Sequence, residues 1–154
     1  MAFQSSANID LALGKPGTIS RDNPIVKLPY VAEGSAVKSG AFVFAGTNPE
    51  LQVVGVDANA TTIAGLAIVE RYQAPMAGMN NSLAVNEGEE IAVLKKGFAY
   101  VVSTTAANYA DKVLVNATTG VITTAASAGA GVIDTGWTVV TSAAANKVCE
   151  IASI

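Results

Sequence analysis

Hydrophobic residues along this chain recur in short runs, and Gly, Asn and Pro separate one run from the next. The pattern is clearest over residues 90–103 and appears again over residues 112–122. Short runs rich in Val, Ile and Thr and bounded by turn residues predict β-strands. The runs after residue 31 that fit this description are 41–45, 51–57, 63–72, 83–86, 90–95, 97–103, 112–116, 120–124, 131–141 and 147–152.

Closely spaced strands without an intervening helical pattern predict an all-β sandwich or barrel. In residues 63–72 both sets of alternate residues are largely apolar, which predicts a strand covered on both faces or facing an oligomer contact. Gly97 interrupts a long run and predicts a bulge or a sharp coil of the strand. Residues 116–120 predict a hairpin turn in which Gly120 takes a left-handed conformation.

The N-terminal residues 1–33 show no sustained period, because glycine and proline interrupt them repeatedly. Proline removes a backbone donor and favours extended conformations. Only Ile9, Leu11 and Leu13 alternate, as in a short edge strand. We therefore predict an extended arm over residues 1–33, lying on its own barrel or on a neighbouring subunit, followed by a single β-domain over residues 34–154.

The surface of this protein is predicted to be poor in charge, because only 14% of the residues are charged and the net charge is −3. An average soluble domain carries about 25% charged residues. A plain surface favours self-association or docking on a partner. The absence of a basic run excludes nucleic acid as a partner, and no apolar stretch reaches the ~20 residues of a membrane helix. The N-terminus also lacks the features of a secretory signal.

The residues needed for common active sites are missing from the sequence. There is no histidine, which excludes Ser-His and Cys-His catalysis. Cys149 is the only cysteine and is predicted to be a small buried apolar residue. Glu87, Glu89 and Glu90 form the densest acidic cluster, which is either a solvated strand end or a weak calcium site. We predict no enzymatic activity, no catalytic or metal-binding residue and no cofactor.

Two further features bear on binding. The aromatic residues that could form a carbohydrate platform are Tyr30, Tyr72, Tyr109 and Trp137. Aromatic residues are more often core or interface anchors, and Trp137, within an apolar strand, is expected to be mostly buried. The predicted loop 73–82 contains Met76 and Met79, which either contact a partner or fold back over the barrel rim.

The order of motifs along the chain resembles that of the structural cement, or head decoration, proteins of tailed bacteriophages. The motifs are residues 3–5 (FQS), 14–17 (GKPG), 21–24 (RDNP), 64–69 (AGLAIV), 87–93 (EGEEIAV), 112–116 (KVLVN), 118–120 (TTG) and 137–140 (WTVV). The resemblance implies a jelly-roll-like body that self-associates as a dimer or trimer. It also implies a place on the outer surface of the virion capsid, after synthesis in the host cytoplasm, where the protein bridges and stabilises neighbouring major capsid protein subunits.

This interpretation makes the arm the expected site of capsid or intersubunit contact, because an extended segment supplies contact area without a large domain. The residues predicted to make these contacts are Phe3, Ile9, Leu11, Leu13 and Arg21 in the arm, with Met76 and Met79 in the loop. The alternative function is a carbohydrate-binding module displayed on a virion or cell surface, for which Tyr72 and Tyr109 would be the residues to test.

Overall fold

The computed structural model describes residues 14–68 and 84–154, and its strands there confirm the predicted all-β class. The described ranges contain no helix. The strands are β1 (Ile19–Ala32), β2 (Val37–Lys38), β3 (Phe42–Ala45), β4 (Gln52–Val54), β5 (Ile63–Ile68), β6 (Ala84–Val85), β7 (Glu90–Ser103), β8 (Lys112–Val115), β9 (Ile122–Ala125), β10 (Ile133–Val139) and β11 (Lys147–Ser153). The jelly-roll arrangement of the strands stays a prediction.

Strand β7 is the centre of the sheet. Along one edge it pairs with β1, and along the other it pairs first with β5 and then with β11. Strand β1 also pairs with β4, β4 with β3, and β3 with β5, so these four strands and β7 close a ring of five. Strands β10, β8 and β9 continue the sheet from β11. The long strand β7 therefore belongs to both halves of the fold.

Two hydrophobic clusters fill the fold, and the strands around β7 contribute to both. On β3, Phe42 and Phe44 lie in the larger cluster and Val43 lies in the smaller one. On β5, Leu66 belongs to the larger cluster and Ala67 to the smaller. Such strands are buried on both faces, which explains their continuous apolar runs. The double coverage predicted from residues 63–72 is confirmed for Ile63–Ile68.

The larger cluster contains the residues that were predicted to be buried. Trp137 is 2% exposed, and its ring lies edge-on to Phe42 with the ring centroids 6.1 Å apart. Cys149 is fully buried, and its thiol points to the carbonyl oxygen of Val101 at 3.7 Å. Desolvation raises the pKa of the Cys149 thiol, so the thiolate needed for reactivity is disfavoured.

The segment predicted as an arm is in part a strand of the sheet. Residues 19–32 are extended, as predicted, but they form β1 and pair with β7 within the same chain. Pro24 and Pro29 are compatible with this strand because, within the described ranges, β4 pairs only with its last residues, Val31 and Ala32. Proline is tolerated where a strand edge has no partner. The division of the chain into an arm and a body at residue 33 stays a prediction.

The predicted turns agree with the structure. Asn116 accepts hydrogen bonds from the backbone N–H groups of Thr118 and Thr119, both at 3.0 Å, and Gly120 has φ +70°. This turn joins β8 to β9 as the predicted hairpin. Gly97 has φ +139° and lies where the pairing of β1 with β7 shifts register. A Cβ at Gly97 would lie 2.8 Å from the carbonyl oxygen of Pro24, so a close backbone approach requires the glycine.

The substitution Gly65→Ala is predicted to destabilise the protein by ~2–4 kcal/mol. Gly65 has φ +150°, and a Cβ there would lie 2.5 Å from the carbonyl oxygen of Leu94, within the pairing of β5 with β7. The matched control is Gly129→Ala, because a Cβ at Gly129 meets nothing within 4 Å. Urea denaturation followed by Trp137 fluorescence measures both variants. Equal midpoints for the two variants would contradict this account of β5.

Candidate functional site

Arg21 is the one predicted contact residue that lies in the described ranges. Phe3, Ile9, Leu11 and Leu13 precede residue 14, and Met76 and Met79 fall within 69–83, so their contacts stay predictions. The same applies to Tyr72.

Arg21 makes a two-pronged ion pair with Glu150 of β11. Its Nε donates to Oε1 of Glu150 at 2.9 Å, and its Nη2 donates to Oε2 at 3.1 Å. The hydroxyl of Ser20 donates to Oε1 at 2.6 Å, and that of Thr141 donates to Oε2 at 3.3 Å. The Arg21 guanidinium also lies over the ring of Phe98, 4.4 Å from its centroid. We call Ser20, Arg21, Thr141 and Glu150 the Glu150 clamp.

The two ends of this ion pair differ in exposure. The side chain of Glu150 is 9% exposed and that of Arg21 is 52% exposed. Burying an ionised carboxylate is costly unless it is paired and hydrogen-bonded. The hydrogen bond from Arg21 is the largest cause that lowers the pKa of Glu150, and desolvation opposes it. Glu150 therefore needs its partners, while the guanidinium of Arg21, predicted as an anchor for another protein, is already engaged within the chain.

Sequence reasoning missed Glu150, although a signal was present. The residue interrupts the apolar strand run Val148-Cys149-Glu150-Ile151. A lone charge in a strand with buried neighbours indicates a partner elsewhere in the fold. Nothing in the sequence places that partner 129 positions away at Arg21.

The chain before β1 is fixed on the body beside Tyr100. The backbone N–H of Gly17 donates to the carbonyl oxygen of Tyr100 at 2.8 Å. The backbone N–H of Tyr100 donates to the carbonyl oxygen of Thr18 at 3.0 Å. A Cβ at Gly17 would lie 2.5 Å from the backbone nitrogen of Gly40, and the ring of Tyr100 leaves no room for one at Gly14. The first described residue, Gly14, therefore sits at a defined place on the surface.

Four exposed hydrophobic side chains lie on β1 and just before β4. Leu51 is 60% exposed, Val26 46%, Leu28 45% and Val31 38%. The N–H of Val31 donates to the carbonyl oxygen of Leu51 at 2.8 Å, so these two residues are neighbours. We call Val26, Leu28, Val31 and Leu51 the β1 apolar band. Val26 and Leu28 share one face of β1, whereas Val31 lies on the other face beside Leu51, because successive strand residues alternate between faces. Exposed apolar residues of this kind are candidates for contact with a partner.

The acidic side chains in the described ranges do not assemble into a metal site. Residues 86–90, including the predicted cluster, are exposed. Glu33 lines a groove of about 440 Å³ with Asp57, but it accepts hydrogen bonds from the hydroxyl and backbone N–H of Thr47. These bonds lower the pKa of Glu33 and hold the turn after β3. No group of three potential metal ligands occurs within residues 14–68 and 84–154.

The aromatic residues are mostly unavailable as a carbohydrate platform. Trp137 and Tyr30 are buried, and Tyr30 carries the ammonium of Lys95 over its ring at 5.0 Å. Tyr109 is 74% exposed on a loop held by the bridge between Ala107 and Ala143. Of the four predicted aromatics, Tyr109 alone is exposed in the part of the chain that the structure describes. That part also contains no helix of the length and hydropathy needed to span a membrane.

The substitution Glu150→Gln is predicted to destabilise the protein by ~1–3 kcal/mol at pH 7 and by less in acid. Because the pKa of Glu150 is lower in the folded protein than in the unfolded chain, its ionisation stabilises the fold above the unfolded value of 4.5. This contribution disappears as the pH falls through the folded pKa. Urea unfolding of both proteins at several pH values between 7 and 2.5 measures the difference.

The matched control for this prediction is Asp134→Asn. It removes the ion pair of Asp134 with Lys112, whose side chains are 34% and 48% exposed. Exposed pairs contribute at most about 1 kcal/mol. A cost for Glu150→Gln no larger than that of the control, or one that stays constant down to pH 2.5, would contradict the prediction.

Comparison with known proteins identifies the family. The fold is similar to a chain in "The capsid of Myoviridae Phage XM1", with a TM-score of 0.69, 19% identity, and coverage of 99% of this chain and 97% of that chain. It is also similar to the head fiber gp8.5 N base of bacteriophage phi29, with a TM-score of 0.49, 10% identity, and coverage of 84% and 94%. No curated protein matches the sequence. Residues 3–153 match the structural cement protein family (E217 gp24/Pam3 gp6), and this chain belongs to that family.

Proposed function

We propose that this protein binds the outer surface of a bacteriophage capsid, where it bridges neighbouring major capsid protein subunits and stabilises them. Its membership in the structural cement family over residues 3–153 carries this proposal. The protein acts as a structural component, without enzymatic activity or a cofactor. It self-associates as a dimer or trimer, and it contacts neither nucleic acid nor membrane.

The β1 apolar band supports this proposal on the body of the protein. Its side chains are between 38% and 60% exposed and lie in a protein with only 14% charged residues. Burial of such residues against a partner contributes about 25 cal/mol per Å² of apolar area. Pro29 lies between Leu28 and Val31 and has no N–H group to donate. The exposed edge of β1 is therefore disfavoured as a pairing site for a strand of a neighbouring chain. The band therefore suits contact through side chains.

Residues 1–13 are the second proposed contact. Phe3, Ile9, Leu11 and Leu13 supply apolar side chains, and fully extended the segment spans roughly 45 Å. A segment of that length can contact a neighbouring subunit. Met76 and Met79, which lie outside the described residues, remain proposed contacts.

Weak contacts suffice for a cement protein because many copies act together. Two linked contacts on neighbouring subunits turn the second binding event into an intramolecular one. Each copy that holds two subunits opposes their separation, so the capsid gains stability from the sum of many modest interfaces. This mode of action needs no deep pocket.

Deletion of residues 1–13 is predicted to weaken capsid binding at least about tenfold while the body stays folded, since the proposed contacts of Phe3, Ile9, Leu11 and Leu13 are lost. The cut precedes Gly14 and so preserves the fixed residues beside Tyr100. Co-sedimentation with expanded, undecorated capsids of the source phage measures the affinity, and Trp137 fluorescence reports folding. Full affinity of the folded, truncated protein would overturn the role of this segment.

The substitution Val31→Lys is predicted to weaken capsid binding about tenfold or more, because it places a charge beside Leu51 in the β1 apolar band. The control is Val121→Lys on the β8–β9 hairpin, since Val121 is 39% exposed and Val31 is 38% exposed. The same co-sedimentation assay compares the two variants once urea denaturation has shown that they are equally stable. An equal loss of affinity in both would remove the band from the proposed interface.

A further inference from the structure

We propose that the loops 104–110 and 142–146 form a second capsid-binding surface, on which the side chain of Tyr109 enters an uncharged recess of a major capsid protein subunit. That subunit is a different one from the subunit that the β1 apolar band contacts. We call these two loops the Tyr109 tip. The inference rests on the proposed function and deepens it, because a protein that bridges two subunits needs two separate contact surfaces.

The Tyr109 tip presents one large aromatic side chain among small polar and apolar ones. Tyr109 is 74% exposed, and the other residues of the two loops are Thr, Ala, Asn and Ser, without a single charge. Tyr, Ser and Asn are the residues that antibody loops use to bind proteins. Tyrosine supplies a large and rigid contact area, and it is enriched among the residues that dominate the binding energy of protein interfaces. The composition of the tip is therefore that of a protein-binding surface.

Hydrogen bonds hold the loop that carries Tyr109 in one conformation. Ala107 and Ala143 exchange two backbone hydrogen bonds, both at 2.9 Å, and so join the two loops of the tip. The backbone N–H of Tyr109 donates to the hydroxyl of Ser142 at 3.0 Å. The next residue, Ala110, has φ +67°, a left-handed conformation that residues other than glycine adopt rarely. A loop that is already ordered loses little conformational entropy on binding, so its exposed ring is an efficient anchor.

The Tyr109 tip and the β1 apolar band lie at different ends of β7. The band lies beside residues 90–96 of that strand, with which Val26 and Val31 pair. In the tip, the N–H of Asn146 donates to the carbonyl oxygen of Ser103, the last residue of β7, at 2.8 Å. The central strand of the fold thus connects two exposed surfaces that share no residue. This arrangement suits a protein that holds two subunits at once.

A capsid subunit fits the Tyr109 tip better than a second copy of this chain does. Stable interfaces involve about 20–30 residues on each side, and two tips in contact with each other would contribute far fewer. An exposed aromatic anchor contributes most when it enters a pocket of its partner. Because the tip carries no charge, the complementary pocket is uncharged as well. A capsid repeats its major subunit, so a protein bound to one subunit has another within reach.

The experiment compares the unmodified protein with Tyr109→Ala and Tyr109→Phe on expanded, undecorated capsids of the source phage. Co-sedimentation measures the affinity for the capsid. The temperature at which decorated capsids disrupt measures their stabilisation, and it is determined at protein concentrations that give equal occupancy. Trp137 fluorescence reports folding, and sedimentation velocity without capsids reports the oligomeric state of each variant.

We expect Tyr109→Ala to lower the affinity for the capsid about tenfold, because the aromatic anchor is removed. At equal occupancy it is expected to raise the disruption temperature less than the unmodified protein does, because one of the two subunits is no longer held. Tyr109→Phe keeps the ring, and its affinity is expected to stay within about threefold of that of the unmodified protein.

Three results would overturn the proposal. The first is unchanged affinity and stabilisation with Tyr109→Ala. The second is a loss of affinity with full stabilisation at equal occupancy, since the tip would then not bridge subunits. The third is a change in oligomeric state, which would assign Tyr109 to a contact between copies of this chain. If the unmodified protein itself neither sediments with capsids nor stabilises them, the proposed function is wrong, and the tip loses its partner with it.

A second variant tests the loop without changing the ring. Ser142→Ala removes the hydroxyl that accepts the hydrogen bond from the N–H of Tyr109. It is expected to lower the affinity about threefold, because part of the loop must then be ordered on binding. The control is Thr118→Val, which removes an exposed hydroxyl on the β8–β9 hairpin and is expected to leave the affinity unchanged. Equal affinities of the two variants would contradict the role of a preordered loop.

Discussion

The pairing of β7 on both edges and its burial on both faces is the constraint on which the fold depends. Ala92 and Leu94 face the larger cluster, and beyond the two lysines Ala99 and Val101 face it. The alternate residues that face this cluster therefore change from even to odd numbers between positions 94 and 99. The register shift beside Lys95 and the positive φ of Gly97 supply this change. One strand can thus serve both halves of the protein without turning its apolar residues to solvent.

The Glu150 clamp is important for the fold because the protein contains few charged residues. Most polar side chains here make short-range contacts in turns, as Asn116 does, or lie exposed. Glu150 is the one acidic residue among the buried side chains of the described ranges. Its pairing with Arg21 joins positions that no backbone ladder connects directly, because β7 lies between them. A buried carboxylate specifies a unique partner in a way that apolar contacts do not, since its burial without that partner is costly.

Local features of the fold were predictable from the sequence, but contacts between distant parts of the chain were not. The hairpin at Gly120, the burial of Trp137 and the double coverage of β5 follow from turn chemistry and from period-two patterns, which depend on neighbours in sequence. Strand β1 escaped prediction because Pro24 and Pro29 indicate a break, and only the pairing partner decides whether a missing N–H matters. The ring closure through β1 and β4, and the pairing of Arg21 with Glu150, depend on contacts between distant positions, which a single sequence does not reveal.

The physical features of the described residues suit this chain to the cement role of its family. The Glu33 carboxylate lines a groove, but its hydrogen bonds from Thr47 hold the turn after β3. A cement protein needs a body that does not deform when its neighbours pull on it, together with apolar surface that remains available. The central strands β3, β5 and β7 are buried on both faces, and exposed apolar side chains lie on β1, the strand that also carries Arg21. Load applied to the β1 apolar band therefore reaches the core through β7, and the Glu150 clamp adds a second connection to β11.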